Sequence, residues 1–204
     1  MFIVGIAGGS GAGKTTFANK ILKYSKYNEA QLLHMDCYYL PTPPKKLISE
    51  ACMPNFDHPH AFDWALLKEQ LRDLKNGKAV QCPTYNFAKC QREETTVTLG
   101  PCKVLIFEGI FSLFDKEIRD LFDIKCFLFV DSDIRFIRRL HRDVKERGRS
   151  LESVIEQYYD TVRPMHQMYL EPQRQYADFI VGEETDNSAI ILSAKIDQVI
   201  SQAR

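Results

Sequence analysis

Apolar residues in this chain fall in short unbroken runs, not in strict alternation with polar ones. Phe2, Ile3, Val4, Ile6 and Ala7 make the first run. Others follow over residues 32–36, 103–108, 125–131 and 177–181. Runs of this length, bounded by polar or turn-forming residues, predict strands buried on both faces, as in a parallel sheet. Between them, apolar positions recur at helical period, predicting helices over 14–24, 60–76, 115–122, 132–147, 150–168 and 188–202. In the 60–76 segment Phe62, Leu66, Leu67, Leu71 and Leu74 share a face, and Gly77 supplies a stop. Strands alternating with helices predict an α/β fold with a five-stranded parallel sheet covered on both faces.

Two segments depart from the alternation. Prolines punctuate residues 41–54, which read as an irregular surface loop. Residues 79–83 and 95–99 are short β-like runs flanking 85–92, and predict a small hairpin over roughly 79–99, off the main sheet. There is no repeat, low-complexity stretch or linker, so residues 1–204 are expected to form one domain.

Composition narrows the function classes. Of 204 residues, 45% are hydrophobic, and Lys+Arg and Asp+Glu balance at 27 each. That balance gives no global attraction to nucleic acid or an anionic membrane. No apolar stretch approaches the ~18 residues of a membrane span. The first run lacks a basic flank and a cleavage site, and is expected to be a strand and not a signal peptide. Six cysteines (Cys37, Cys52, Cys82, Cys90, Cys102, Cys126) occur without a C-x-x-C pair. They are expected to stay reduced in a cytoplasmic protein, and their spacing with His58 and His60 does not suit a structural zinc site.

The first run leads into Gly8-Gly9-Ser10-Gly11-Ala12-Gly13-Lys14-Thr15-Thr16, which contains the phosphate-binding pattern G-x-x-x-x-G-K-[ST]. Its glycines let successive backbone N–H groups turn inward around a phosphate. Lys14 is placed to reach β- and γ-phosphates, and the Thr15 hydroxyl to ligate Mg²⁺. A strand before the loop and a helix after it put the phosphate at a helix N-terminus. A nucleoside triphosphate, ATP, is the expected ligand.

Ligands of open parallel sheets sit beyond the carboxyl ends of the strands. Asp36, Glu108 and Asp131 all close apolar runs, so they are expected to converge with the glycine-rich loop on one crevice. Glu108, after four apolar residues and before Gly109, has the setting of a Mg²⁺-binding acid. Asp36 or Glu108 would accept a proton from the attacking hydroxyl in a phosphoryl transfer. Arg135, Arg138, Arg139 and Arg142 recur at helical spacing, and Arg147-Gly148-Arg149 follows. They are expected to form a lid, roughly 138–164, that stabilises charge on the transferred group.

Several segments together resemble the uridine kinase (uridine–cytidine kinase) family. They are the glycine-rich loop, Asn55-Phe-Asp-His-Pro-His-Ala-Phe-Asp63, Pro83-Thr-Tyr-Asn-Phe87, Glu108-Gly-Ile110, Arg139-Leu-His-Arg-Asp-Val-Lys-Glu-Arg-Gly-Arg149, Gln157-Tyr158, Val162-Arg-Pro164 and Tyr176-Ala-Asp178. The resemblance runs from Gly5 to about Asp178. It implies transfer of the γ-phosphoryl group of ATP to the 5′-hydroxyl of a pyrimidine ribonucleoside, in a homo-oligomer, a tetramer in that family. By similarity Asp36 is the general base, Asp57 bonds the ribose hydroxyls, Tyr39 lines the nucleoside pocket and Tyr85 contacts the base. Arg139 and Arg142 reach ribose and phosphates, Arg147 and Arg149 belong to the lid, and Gln157 lies beside the nucleoside. The family carries histidine where this chain has Cys90, a weak hydrogen-bonding thiol. His60 and Val181-Gly-Glu-Glu184 also depart from its pattern. Two alternatives keep the same loop. One is a related kinase of another small alcohol, such as phosphoribulose, pantothenate or nicotinamide riboside. The other is a nucleotide sensor without turnover.

Overall fold

The computed structural model describes residues 1–41, 54–86 and 91–202. Its elements in chain order are β1 (Phe2–Gly8), α1 (Lys14–Tyr24), β2 (Ala30–His34), α2 (Trp64–Lys75), β3 (Val80–Asn86), β4 (Gln91–Leu99), β5 (Val104–Glu108), α3 (Lys116–Arg119), β6 (Ile124–Leu128), α4 (Ser132–Lys145), α5 (Leu151–Gln157), α6 (Arg163–Met165), β7 (Phe179–Val181) and α7 (Asp186–Gln202). Five strands form one sheet in the order β2-β5-β1-β6-β7. All of its pairings are parallel. The remaining two, β3 and β4, pair antiparallel as the expected hairpin.

Alternation along the central strands divides the core. Ile3 and Ala7 of β1, with Leu105 and Phe107 of β5, face α2 and its Leu67, Leu71 and Leu74. Val4 and Ile6, with Val104 and Ile106, face α1 and α7 through Phe17, Ile21, Leu192 and Ile196. Both faces of the sheet are therefore apolar, which is why the strands read as unbroken runs.

Boundaries differ from expectation where a side chain or a proline intervenes. The helix expected over 60–76 begins at Trp64. Pro59–Ala61 is a 3-10 turn, and Asp63 caps α2 by accepting from the Leu66 N–H at 3.2 Å. Phe62 consequently leaves the helix face and packs on Tyr39, ring centroids 4.2 Å apart. The second run is a strand only to His34, and Asp36 lies in a 3-10 turn over Met35–Tyr38. β6 stops at Leu128, before the expected Asp131, and β7 keeps only the last three residues of its run.

The helix expected over 150–168 extends to Tyr176 with changing pitch. After α5 come a π segment (Tyr158–Val162), α6, a second π segment (His166–Leu170) and a 3-10 segment (Glu171–Tyr176). Pro164 and Pro172 lack the N–H groups that a continuous α-ladder requires. The loop expected over 41–54 falls largely outside the described residues. No helix among the described residues is long and apolar enough to cross a membrane.

The Phe122 ring lies directly on Gly5 in the middle of β1, where a Cβ would sit 2.2 Å from a ring carbon. Gly5→Ala is expected to overpack this face and lower stability by about 1–3 kcal/mol. Urea unfolding should show a lower midpoint with an unchanged slope.

Candidate active site

The carboxyl ends of β1, β2 and β5 open into a cavity of about 410 Å³. The glycine-rich loop forms one wall. Gly8, Gly11 and Gly13 all hold positive φ, and Gly13 occupies the left-handed N-cap position of α1. This backbone bends the loop and hands it to the helix. Ser10, Gly11, Lys14 and Thr15 line the cavity. Gly8, Gly9, Ala12 and Gly13 complete the loop behind them, and Thr16 begins the exposed side of α1. Lys14 Nζ donates to the Gly9 carbonyl at 3.1 Å, bridging the loop's mouth. Burial pulls the Lys14 pKa down against the opposing fields of Glu108 and Asp36.

Glu108 ends β5 and is 6% exposed. Its register neighbours are Ile6 on β1 and His34 on β2. Alternation turns Glu108 and His34 toward the face that α1 covers, so Glu108 Oε1 accepts from His34 Nδ1 at 2.6 Å and from Thr15 Oγ1 at 2.9 Å. Burial favours the neutral acid, yet these bonds and the Lys14 charge hold the Glu108 pKa below its ordinary value. The bond to Glu108 raises His34 in turn. Asp36 shifts the other way. Burial and the Glu108 charge raise its pKa against Lys14, Arg147 and Arg142. Thr15 and Glu108 present hard oxygen donors beside the loop, a set that suits Mg²⁺ completed by phosphate and water oxygens.

The opposite wall is aromatic and carboxylate. Tyr39 is ringed by Phe56 and Tyr85, centroids 5.3 and 5.2 Å away. Arg92 fixes the hairpin that carries Tyr85, donating to the Tyr39 carbonyl at 3.0 Å and to Asp63 at 3.1 Å. The β3–β4 register slips between Pro83 and Tyr85, where proline gives no ladder bond. Asp57 is held by an Asx turn in which its N–H donates to Asn55 Oδ1 at 3.1 Å. Its carboxyl is buried, which raises its pKa against the nearby Arg139.

Arginines close the cavity. Arg139 Nη1 donates to Ser10 Oγ at 2.8 Å and its Nη2 to Gln157 Oε1 at 2.9 Å, and Arg149 also donates to Gln157. Arg142 and Arg147 complete the group. The cavity thus brings together the loop, Asp36, Tyr39, Asp57, Tyr85, Glu108, the four arginines and Gln157. Cys90 lies outside the described residues.

Three expectations of convergence are corrected. Asp131 is exposed at the N-cap of α4, because the chain leaves the sheet at Leu128 before reaching it. Arg138 faces outward and pairs with Glu183 at 2.5 Å. Arg135 is buried behind the loop, donating to the Val130 carbonyl at 3.0 Å, and does not line the cavity. His34, Phe56, Ile110 and Asp143 were not singled out from sequence. Phe56 was legible beside Asp57, and His34 only through strand register.

The model of the phosphoribulokinase/uridine kinase family matches residues 3–189. The chain belongs to that family. A uridine kinase from Staphylococcus aureus (strain Newman) is 48% identical over 203 residues, covering 98% of this chain and 97% of that one. The same identity and coverage hold for the uridine kinase of strain Mu50. Among solved structures, one from Silicibacter sp. TM1040, assigned to a fructose transport system kinase, has a TM-score of 0.71 at 22% identity and covers 88% of each chain. D-glycerate 3-kinase from Cryptococcus neoformans var. grubii has a TM-score of 0.64 at 17% identity, covering 90% of this chain and 87% of that one. At such identities these two show the fold alone, a parallel sheet with helices on both faces.

The carboxylate pair gives a direct prediction. Carbon-detected NMR should find Asp36 titrating above 3.8 and Glu108 below 4.5. Glu108→Gln removes the carboxylate whose hydrogen bond and charge raise His34, so the imidazole midpoint should fall.

Proposed function

We propose that the chain transfers the γ-phosphoryl group of MgATP to the 5′-hydroxyl of uridine, cytidine or both, giving UMP or CMP in pyrimidine salvage in the cytoplasm. The observation that carries this reading is a single cavity with a phosphate loop on one wall and an aromatic and carboxylate pocket on the other. Family membership and the uridine kinase relatives support it.

In this reading Ser10 to Thr16 cradle the phosphates and Lys14 neutralises charge on the transferred group. Thr15 and Glu108 hold Mg²⁺, which when bound supplies further neutralisation of phosphate charge. Asp57 accepts from the ribose hydroxyls, while Tyr39, Phe56 and Tyr85 enclose sugar and base. The ribose O5′ attacks the γ-phosphorus, the bond to the β–γ bridging oxygen breaks, ADP leaves, and Asp36 takes the hydroxyl proton. A raised Asp36 pKa suits that task, because it makes the carboxylate a better base. The arginines spread over the equatorial oxygens of the transferred group.

A coupled ADP-release assay over uridine, cytidine, purine nucleosides and non-nucleoside alcohols tests the acceptor. Turnover restricted to uridine and cytidine is expected, and ADP release independent of any nucleoside would overturn the proposal. Asp36→Ala should lower kcat by about 10²-fold or more while ATP affinity, read by calorimetry, changes by less than about threefold. Because Asp36 must be ionised, activity should fall as pH drops through a midpoint above the ordinary aspartate value. Cys90→His should change the ratio of uridine to cytidine kcat/KM, and an unchanged ratio would remove Cys90 from base selection.

A further inference from the structure

One carboxylate lies behind the cavity and touches neither the loop nor the aromatic wall. Asp143, on α4, is fully buried at 0% exposure. Four cations surround it. Its Oδ1 accepts from Arg142 Nε at 2.9 Å and lies 3.4 Å from Arg147 Nη1. Its Oδ2 lies 3.5 Å from Arg139 Nε and 3.8 Å from Arg149 Nη1. All four arginines line the cavity, whereas Asp143 does not.

The backbone is shaped for the same convergence. Arg139, Asp143 and Arg147 are spaced four residues apart, on one side of the helix and its continuation. Gly148 holds φ +66°, and the Arg149 N–H donates to the Asp143 carbonyl at 3.1 Å. That turn folds the chain back so that Arg149 returns over the Asp143 side chain.

We propose that Asp143 is the positioning residue of the arginine array. Four guanidinium groups packed this closely repel one another, and a single buried carboxylate holds them at one point. It neutralises only part of their charge, so the array stays cationic toward a triphosphate. Arg139 carries the constraint forward to Ser10 in the phosphate loop. One side of the hub is slack. Asp143 Oδ2 and Arg139 Nε have no hydrogen-bond partner among the described residues and stand 3.5 Å apart. Closing by about half an ångström would make a charge-assisted bond, so the array has a tighter state available when phosphates arrive.

The inference rests on the phosphoryl-transfer reading, and the wild-type enzyme separates the two. If wild type shows no nucleoside-dependent ADP release, that reading fails; if wild type turns over and the variants match it, only this assignment fails. Asp143→Asn keeps the shape and removes the charge. With circular dichroism and melting confirming a folded protein, ATP KM should rise about tenfold and kcat fall about 10²-fold. Loss of folded fraction alone would lower apparent kcat and leave both KM values in place. Asp143→Glu keeps the charge one methylene further out, and its kcat should lie between wild type and the asparagine variant. Should asparagine not fold, glutamate decides by the same ATP KM and kcat. A folded variant of either kind with wild-type kcat overturns the assignment.

Discussion

Everything at the cavity turns on how Glu108 is kept charged where little water reaches it. A buried carboxylate without partners would take up a proton, and the phosphate loop would then face a neutral acid. Three groups prevent this: the Thr15 hydroxyl at the start of α1, the His34 imidazole on the neighbouring strand, and the Lys14 ammonium across the loop. Lys14 and Thr15 open α1 directly after the loop and His34 ends β2, so the charge at the end of β5 ties the loop-to-helix junction and β2 into one unit. The same charge acts on Asp36, whose pKa it helps to raise. Two carboxylates near one lysine are thereby driven apart in basicity, one held below its ordinary pKa and one raised above it.

That division rests on strand register more than on local sequence. His34 and Glu108 are paired positions on adjacent parallel strands, and a one-residue slip would send one of them into the α2 side of the core. Gly5 helps lock the register from the other face. The Phe122 ring fills the space its missing side chain leaves, and packs beside Phe107, the residue before Glu108, at 5.7 Å between centroids. Hydrophobic packing on one face of the sheet thus positions the polar chemistry at its end.

The sequence made the sheet legible because both of its faces are apolar, and made the phosphate loop legible because glycine spacing is local. Asp36, Tyr39 and Glu108 were legible in the residues themselves and Asp57 and Tyr85 through the family resemblance, and all five line one cavity. What stayed hidden depends on distant contacts. His34 gains its partner only through strand order, and Asp143 looks like any polar helix residue until the turn at Gly148 brings Arg149 back over it. The arginine repeat was misread in part for a related reason. Helical spacing puts the four arginines on one broad stripe but does not set where each long side chain ends: Arg135 turns behind the loop to the Val130 carbonyl and Arg138 turns outward to Glu183. Asp131 was misplaced because an apolar run need not be strand to its end, and here the last residues already turn toward α4.

Charge placement gives these contacts a common purpose. The whole chain carries no net formal charge. Its cavity, however, gathers Lys14, Arg139, Arg142, Arg147 and Arg149 against Asp36, Asp57 and Glu108, with Asp143 behind them. Burial lowers the pKa of Lys14 and Arg147 and raises that of Asp36 and Asp57, so both signs are held at a cost. Cations and carboxylates that neutralised one another fully would leave little field for a ligand. The observed surplus is cationic and sits in a recess where low dielectric strengthens it. An anionic ligand entering there restores the balance that the protein alone leaves incomplete.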